Sequence, residues 1–154
     1  MDWRAEDVYE RLSPAVLGYF RGRGVHDPAD LTGDVFVRVT RGLPRFQGDA
    51  AALRRWVFTI AHHRMVDEYR RPDRDLHVWT SDVPNQPGIE AGAGDADLVR
   101  ALSMLTDDQR EVVVLRFVAD LALGDVAKIV GKRTGAVKML QARGLERLRE
   151  QLES

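Results

Sequence analysis

The amino-acid sequence predicts an all-α protein made of two small helical domains joined by a flexible linker. Apolar residues recur at spacings of three and four in two blocks, residues 1–72 and 96–154, as expected for amphipathic helices. Residues 73–95 between them are rich in Pro, Gly and acidic side chains and show no sustained period. A chain of 154 residues is long enough for two such units.

The composition is that of a soluble globular protein, with 44% hydrophobic and 31% charged residues and a formal net charge of −1. The chain has no cysteine, which excludes disulfides and thiolate chemistry. No apolar run approaches the roughly 20 residues that a membrane span needs, and the charged N-terminal residues show no signal peptide. We therefore expect a cytoplasmic protein that does not bind a membrane by itself.

Three helices are predicted for residues 1–72. The first covers roughly residues 3–21, and Pro14 should kink or restart it. The second begins at Asp27, which is a natural N-cap and is followed by Pro28 at the first helical position. The third begins after Asp49, which can cap it in the same way. These three helices are enough for a small bundle.

The third predicted helix is apolar on two nearly opposite sides. Such a helix is normally central to a bundle, and the periodicity favours this interpretation. The alternative is an open face on which aromatic rings stack against unpaired bases while neighbouring arginines hold phosphates. The two stripes are Leu53, Trp56, Val57 and Ile60 on one side and Phe58, Met65 and Tyr69 on the other.

A metal site on this helix is the weakest of the functional hypotheses. His63 and Asp67 lie one turn apart, so both side chains can reach one ion, with His62 and Glu68 beside them. Two ligands do not make a site, and the sequence has no HExxH motif or third partner. We expect a capped or solvent-facing histidine pair, no metal and no cofactor.

The second block contains a helix-turn-helix pattern. After a first helix over residues 95–105, Thr106 and Gln109 form a capping box that starts the next helix. A short helix over residues 123–130 ends at Gly131, which suits the left-handed residue after a helix, and the last helix starts near Thr134. A short helix, a glycine turn and a longer basic helix match a DNA-binding helix-turn-helix. The residues expected to face the core from the last helix are Val137, Leu140, Gly144, Leu145 and Leu148.

The last helix and its turn concentrate positive charge, with six Lys/Arg and one acid in residues 131–149. A helix of one charge sign usually faces a partner of the opposite sign. Arg143 can read guanine, Met139 or Ala142 can touch a thymine methyl, and the flanking cations suit phosphates. The alternative is a helical hairpin with a basic exposed face. The candidate contacts to duplex DNA are Lys132, Arg133, Thr134, Lys138, Met139, Ala142, Arg143 and Arg147.

Two segments resemble a known family. "DLTGDVFVRVTRGLPRFQGDAAALRRWVFTIAHHRMVDEYRR" resembles region 2 of bacterial sigma factors of the extracytoplasmic-function (ECF) group in the sigma-70 family. "LSMLTDDQREVVVLRFVADLALGDVAKIVGKRTGAVKMLQARGLERLRE" resembles their region 4. The resemblance implies a three-helix region 2 bundle over residues 1–72 and a helix-turn-helix region 4 over residues 96–154. It also implies a transcription initiation factor without catalytic activity of its own.

The resemblance further implies partners and site residues. The partners are core RNA polymerase, through its β′ coiled coil and β flap, promoter DNA, and an anti-sigma factor. The last helix would contact the −35 element with the residues named above. The polymerase-binding residues would be Asp30, Leu31, Asp34, Phe36, Arg38 and Arg41. The −10 residues would be Phe46, Gln47, Asp49, Arg54, Arg55, Trp56, His62 and His63.

The sequence departs from the family pattern at several positions. The family often has Gln at Gly33, Asn at His63 and Arg near Leu140. It commonly has a capping Ser at Ala122, so we expect a less secure start to the short helix. Two other functions stay open at this point. One is an autonomous helix-turn-helix regulator that acts without polymerase, and the other is a small metal-dependent enzyme.

Overall fold

The computed structural model of the protein describes residues 2–70 and 93–153, and residues 73–92 of the predicted linker lie outside the described residues. We call the two described ranges the N-terminal unit and the C-terminal unit. Every regular element in them is helical, which confirms the all-α prediction. The α-helices are α1 (Ala5–Gly22), α2 (Pro28–Gly42), α3 (Ala50–Tyr69), α4 (Ala93–Ser103), α5 (Asp107–Val113), α6 (Leu123–Val130) and α7 (Thr134–Glu153).

The N-terminal unit has the three predicted helices and their predicted caps. The Asp27 carboxylate accepts a hydrogen bond from the Asp30 amide at 3.1 Å, and the Asp49 carboxylate accepts one from the Ala52 amide at 2.9 Å. Each cap satisfies one of the amides that a helix start leaves free. Of the two predicted effects of Pro14, the restart is wrong, because α1 continues through this residue as one helix, and the kink stays a prediction.

The C-terminal unit is built around the predicted turns. Thr106 and Gln109 form the capping box, with both hydrogen bonds at 3.2 Å. Gly131 ends α6 with φ at 70°, a left-handed conformation that favours glycine. Ala122 stands at the N-cap of α6 and makes no side-chain hydrogen bond there, as expected. The π-helical segment that follows α5, Val114–Val118, is a feature that the sequence analysis did not predict.

The two units share one hydrophobic core. Val114 and Leu115, just after α5, are fully buried. A Cβ atom placed on Gly22 of α1 would lie 3.1 Å from Val114 Cγ1, which shows that the backbone of α1 packs closely against the Val114 side chain. The N-terminal and C-terminal units therefore pack directly on each other. No helix in the described part of the chain is long and apolar enough to cross a membrane.

Candidate nucleic-acid interface

The outer face of α7 presents the predicted duplex-contacting residues to solvent. Val137 and Gly144 are buried on the opposite side, and a Cβ on Gly144 would lie 2.8 Å from Val113 Cγ2. This glycine lets α7 pack tightly on α5, which fixes the orientation of its outer face. The predicted DNA contacts on α7 after Thr134 are all exposed: Lys138, Met139, Ala142, Arg143 and Arg147.

One residue predicted to face the core from α7 does not do so. Leu145 is 37% exposed, whereas Leu140 and Leu148 are partly buried against the core. Leu145 follows the buried Gly144 by one position, and one position turns a helical side chain by about 100°. The apolar stripe of α7 is therefore narrower than the sequence predicts.

The turn before α7 is also exposed. Lys132 Nζ lies 3.6 Å from Asp108 Oδ2, an ion pair at the surface that contributes little and does not withhold the lysine from a phosphate. Arg133 and Thr134 are exposed beside it. In the described ranges no ion pair involves Arg133, Lys138 or the other two predicted cations of α7. The cations of this surface are therefore available to an outside anion.

An aromatic pair lies at the start of α3. The rings of Phe46 and Trp56 are stacked with centroids 5.0 Å apart and an interplanar angle of 22°. Both rings are partly exposed, and Gln47 and Asp49 are exposed in the loop between them. A Cβ on Gly42 would lie 2.7 Å from Trp56 Cζ2, so this glycine leaves the space that the indole ring occupies.

The second apolar stripe of α3 is mostly enclosed. Phe58 and Met65 are buried, which confirms that α3 is central to the bundle. The alternative of an open stacking platform is wrong for these two side chains, because Tyr19 of α1 packs against both: its ring centroid lies 5.9 Å from that of Phe58, and its hydroxyl lies 3.6 Å from Met65 Sδ. Tyr69 at the end of α3 is 36% exposed. The stacked rings of Phe46 and Trp56 are therefore one partly exposed aromatic surface of the N-terminal unit.

Three of the predicted −10 residues contact the C-terminal unit. Arg54 Nε donates to the Ala119 carbonyl oxygen at 2.7 Å, and Arg55 Nη1 lies 3.1 Å from Asp125 Oδ1. His62 Nδ1 lies 3.2 Å from Glu111 Oε1. His63, the next residue, is exposed. The sequence predicts these side chains as a DNA surface and gives no sign that the chain itself engages them.

Glu111 is the centre of a buried polar network between the units, which the sequence analysis missed. Its carboxylate accepts a hydrogen bond from the Tyr19 hydroxyl at 2.6 Å, and Arg23 Nε lies 2.8 Å from Glu111 Oε2. With His62, these residues form what we call the Glu111 network. The one signal in the sequence is a glutamate next to the apolar run Val112–Leu115. An acid there needs a buried partner.

The Glu111 network stabilises the charged form of this acid. Burial by itself raises the pKa of Glu111, but the hydrogen bond from His62, the charge of Arg23 and the hydrogen bond from Tyr19 together hold it below the ordinary value. Burial, and then the charge of Glu111, raise the pKa of Tyr19 well above its usual range. The network therefore holds a carboxylate, a guanidinium and a neutral phenol at neutral pH.

Two of the four side chains considered for a metal site, Glu68 and His62, are engaged elsewhere. Glu68 Oε2 lies 2.8 Å from Arg64 Nη1, and His62 faces Glu111. Across residues 2–70 and 93–153 no group of three His, Asp or Glu side chains is close enough together to hold a metal ion.

Comparison with known proteins identifies the family. Residues 8–75 match the model of sigma-70 region 2, and residues 101–150 match that of sigma-70 region 4. The ECF RNA polymerase sigma factor SigD of Mycobacterium tuberculosis is 31% identical, over 95% of this chain and 76% of its own. The RNA polymerase sigma factor YlaC of Bacillus subtilis is 30% identical, over 82% of this chain and 79% of its own. The chain belongs to the ECF sigma factors of the sigma-70 family.

A solved structure agrees with the fold of this sigma factor. The sigma factor RpoE of Bartonella quintana, in complex with the anti-sigma factor NepR, aligns with a TM-score of 0.79 and 24% identity. The alignment covers 96% of each chain. At this identity the similarity shows the fold alone. The region 2 match includes most of α1 and all of α2 and α3, and the region 4 match includes α5, α6 and most of α7.

The predicted polymerase-binding helix of the sigma factor requires a correction. Leu31 and Phe36 are 3% and 7% exposed, and the Phe36 ring packs edge-on against Tyr9 at 5.1 Å. These two side chains hold α2 in the bundle and are not available to a partner. Asp34 is partly exposed and pairs with Arg64 at 2.9 Å. The exposed residues of the predicted set are Asp30, Arg38 and Arg41.

The outer face of α2 includes one apolar residue that the prediction omitted. Val37 is 50% exposed. It lies seven residues after Asp30 and four before Arg41, spacings that place all three on one side of a helix. The signal was present in the sequence as an apolar residue outside the buried stripe of α2.

Proposed function

We propose that this sigma factor binds core RNA polymerase, recognises a promoter through −10 and −35 elements, and helps to open it. The observation that carries the proposal is the presence of sigma-70 regions 2 and 4 in one chain whose α7 presents exposed cations. RNA synthesis belongs to the polymerase, and the sigma factor supplies sequence recognition. The comparisons do not favour the autonomous regulator.

Contact with the −35 element is assigned to α7. A recognition helix enters the major groove of duplex DNA with its N-terminal part first, which here bears Lys138, Met139 and Ala142. Arg143 has the geometry for a bidentate contact to guanine. Lys132, together with Arg133 and Arg147, can neutralise phosphates and fix the position of the helix.

Contact with the separated −10 strand is assigned to the N-terminal unit. Unpaired bases expose faces that stack on aromatic rings, and Phe46 with Trp56 provides a partly exposed aromatic pair. Gln47 and Asp49 in the adjoining loop can hydrogen-bond a base that has left the stack. Arg54, Arg55, His62 and His63 continue this surface along α3.

Contact with core polymerase is assigned to the outer face of α2. Val37 can supply the apolar centre of this contact, and Asp30, Arg38 and Arg41 can supply its polar rim. The β′ coiled coil is the expected partner of this face, and the β flap that of the C-terminal unit. An anti-sigma factor stays a prediction, and a pull-down from the native cell that recovers polymerase and no other stoichiometric protein would contradict it.

Reconstituted transcription tests the proposed function. Core polymerase is mixed with the purified chain, and promoters are selected from a random-sequence DNA library. We expect run-off transcripts that require both the chain and the selected promoter. If no such product forms and the chain does not co-purify with polymerase, the proposal is wrong. Tight sequence-specific binding in a gel shift without polymerase would instead support an autonomous regulator.

Arg143→Ala tests the assignment of α7. Loss of a bidentate base contact should cost about 1–3 kcal/mol of binding free energy, which lowers affinity for the selected duplex about 5- to 150-fold and relaxes selectivity at one base pair. The measurement is a titration of the selected promoter with the polymerase complex. Arg149→Ala is the matched control, because this exposed cation lies six residues farther from the N-terminal end of α7. Equal losses in both variants would contradict base reading by Arg143.

A further inference from the structure

The loop before α3 is held by a side chain that precedes α1. The Trp3 indole Nε1–H donates a hydrogen bond of 3.2 Å to the Gly48 carbonyl oxygen, across 45 positions of sequence. The Trp3 ring is partly buried and packs against the hydrophobic core. We call residues 46–49 the −10 loop, because three of the eight predicted −10 residues stand in it: Phe46, Gln47 and Asp49.

The two ends of the −10 loop are fixed by their own side chains. Phe46 stacks on Trp56 at one end, and Asp49 caps α3 at the other. Among the hydrogen bonds within the described part of the chain, the one from Trp3 alone reaches a backbone group of residues 47–48. Trp3 therefore holds the middle of a loop whose ends are already fixed.

The backbone at Gly48 has little room to move toward α3. A Cβ atom placed on Gly48 would lie 2.9 Å from Ala52 Cβ and 3.0 Å from Phe46 Cζ. The hydrogen bond from Trp3 adds a directional contact to the same residue. The Gln47 side chain, one position earlier, is exposed. The position of the Gly48 backbone thus determines where the Gln47 amide group can meet a base.

Order in the −10 loop affects both affinity and base selectivity. A loop that is ordered before it binds loses less conformational entropy on binding. Fixed polar groups also discriminate between bases, because a wrong base leaves them without partners, whereas a mobile loop can move to satisfy them. A contact that orders this loop therefore strengthens the binding of the correct base more than that of a strand without it.

We propose that Trp3 is a positioning residue for promoter recognition, whose indole N–H holds the −10 loop in the conformation that receives an unpaired base. The inference rests on the proposed function and adds a residue outside the predicted −10 set. Trp3 does not touch the DNA in this role. It acts through the Gly48 carbonyl oxygen on the neighbouring side chains of Gln47 and Asp49.

Trp3→Phe tests the proposal, because it keeps an aromatic ring against the core and removes the N–H donor. Tyr9→Phe is the matched control. It also removes one polar group from an aromatic side chain of the N-terminal unit, but the Tyr9 ring packs on Phe36 of α2 and not on the −10 loop.

The first readout is the affinity of each polymerase complex for a fluorescein-labelled single strand that carries the −10 element of a promoter selected by the wild-type chain. An abasic site is placed at each position in turn, and the position where it weakens wild-type binding most marks the base that enters the −10 loop. At that position the abasic site should weaken binding of the Trp3→Phe complex about two- to tenfold less than that of the wild type, the range expected for one hydrogen bond. Tyr9→Phe should keep the full wild-type loss. An equal loss in Trp3→Phe and wild type would show that Trp3 is merely structural and would overturn the proposal.

The second readout is hydrogen exchange of the free chain, which needs neither DNA nor polymerase. Amides in peptides that cover residues 43–52 should exchange at least about threefold faster in Trp3→Phe than in the wild type or Tyr9→Phe, because the loop opens more often. Unchanged exchange in Trp3→Phe overturns the proposal. If no abasic site weakens wild-type binding, the −10 assignment of the proposed function fails instead, and hydrogen exchange still decides whether Trp3 orders the loop.

Discussion

Helices α3 and α7 are each 20 residues long and rich in arginine, yet one is enclosed and the other is open. α7 buries Val137 and Gly144 and leaves Met139 52% exposed on its outer face. α3 buries Phe58 and Met65 on its second face, and its polar side chains reach the other unit. Two helices of equal length that are both rich in arginine therefore differ in how far the rest of the chain covers them.

The difference comes from the groups that stand beside each cation. Arg54 and Arg55 have a carbonyl oxygen and a carboxylate of the C-terminal unit within hydrogen-bond distance. Lys138 and Arg143 have no ion pair in the described part of the chain, and their outer face is open. A cation that is bound to a group of the same chain must leave that group before it binds a phosphate, whereas a cation without such a partner can bind a phosphate directly. The local charge pattern is therefore enough to locate the exposed cationic face of α7. Whether the cations of α3 are free to bind a phosphate depends instead on the residues that pack against them in the folded chain.

The largest expected loss of stability comes from Glu111→Ala, which removes the central acid of the Glu111 network. Arg23 then stays buried without the carboxylate that offsets its charge, and Tyr19 loses its acceptor. Breaking a buried pair by removing one partner costs about 3–5 kcal/mol. We expect a loss of up to this size in the free energy of unfolding, measured by urea denaturation followed by circular dichroism.

Glu146→Ala is the matched control for this variant. Glu146 is an exposed acid on α7, so its removal should change the free energy of unfolding by less than about 0.5 kcal/mol. A loss for Glu111→Ala that is no larger than for Glu146→Ala would show that the Glu111 network does not hold the units together.

The parts of the fold that depend on local chemistry could be predicted from the sequence. Asp27 and Asp49 cap their helices, because a side-chain oxygen next to a helix start finds a free amide whatever the tertiary fold. Gly131 is left-handed at the end of α6, because few other residues adopt that conformation at low cost. The exposed cations of α7 follow from one local stripe of charge.

The parts that depend on long-range packing could not be predicted. Arg23 and Glu111 are 88 positions apart in sequence, and no periodicity relates them. The contact of Arg55 with Asp125 has the same origin, so the −10 surface looked free. Leu31 and Phe36 were assigned to polymerase from the resemblance, although Leu31 lies four residues before the buried Val35 and Phe36 three before the buried Val39. In each of these positions the packing of other helices determines the environment of the side chain.

The next largest effect is expected at the aromatic pair beside the start of α3, where Gly42 of α2 leaves space for the Trp56 ring. Gly42→Ala places a methyl group 2.7 Å from Trp56 Cζ2, so the indole ring must move from its stack on Phe46. Such overpacking costs about 1–3 kcal/mol and offsets the roughly 0.5–1 kcal/mol that alanine gains over glycine in a helix. We expect a lower urea midpoint and an altered near-ultraviolet circular dichroism signal.

Gly33→Ala on the same helix provides the control. No atom lies within 4 Å of a Cβ at Gly33, so this variant should show the helix gain alone and become more stable by about 0.5–1 kcal/mol. If Gly42→Ala gained as much stability as Gly33→Ala, Gly42 would not position Trp56. The Trp56 ring would then be as little constrained by its neighbours as the exposed side chains of α7.

The smallest expected effect is the change in the free energy of unfolding between pH 7 and pH 5. The folded-state pKa of Glu111 lies below its ordinary value of 4.5, so the carboxylate contributes stability that is fully present above this value. The contribution is lost as pH falls through the lower folded value, since the unfolded chain then binds the proton more readily. The free energy of unfolding should therefore be nearly flat for this group down to about pH 5 and decrease below about pH 4.5. Glu111→Gln has no acid to titrate, and the decrease below pH 4.5 should be shallower in this variant. An equally steep decrease in the free energy of unfolding of both proteins would mean that other carboxylates control the response to acid. The contacts of α3 with the C-terminal unit would then not depend on the charge of Glu111.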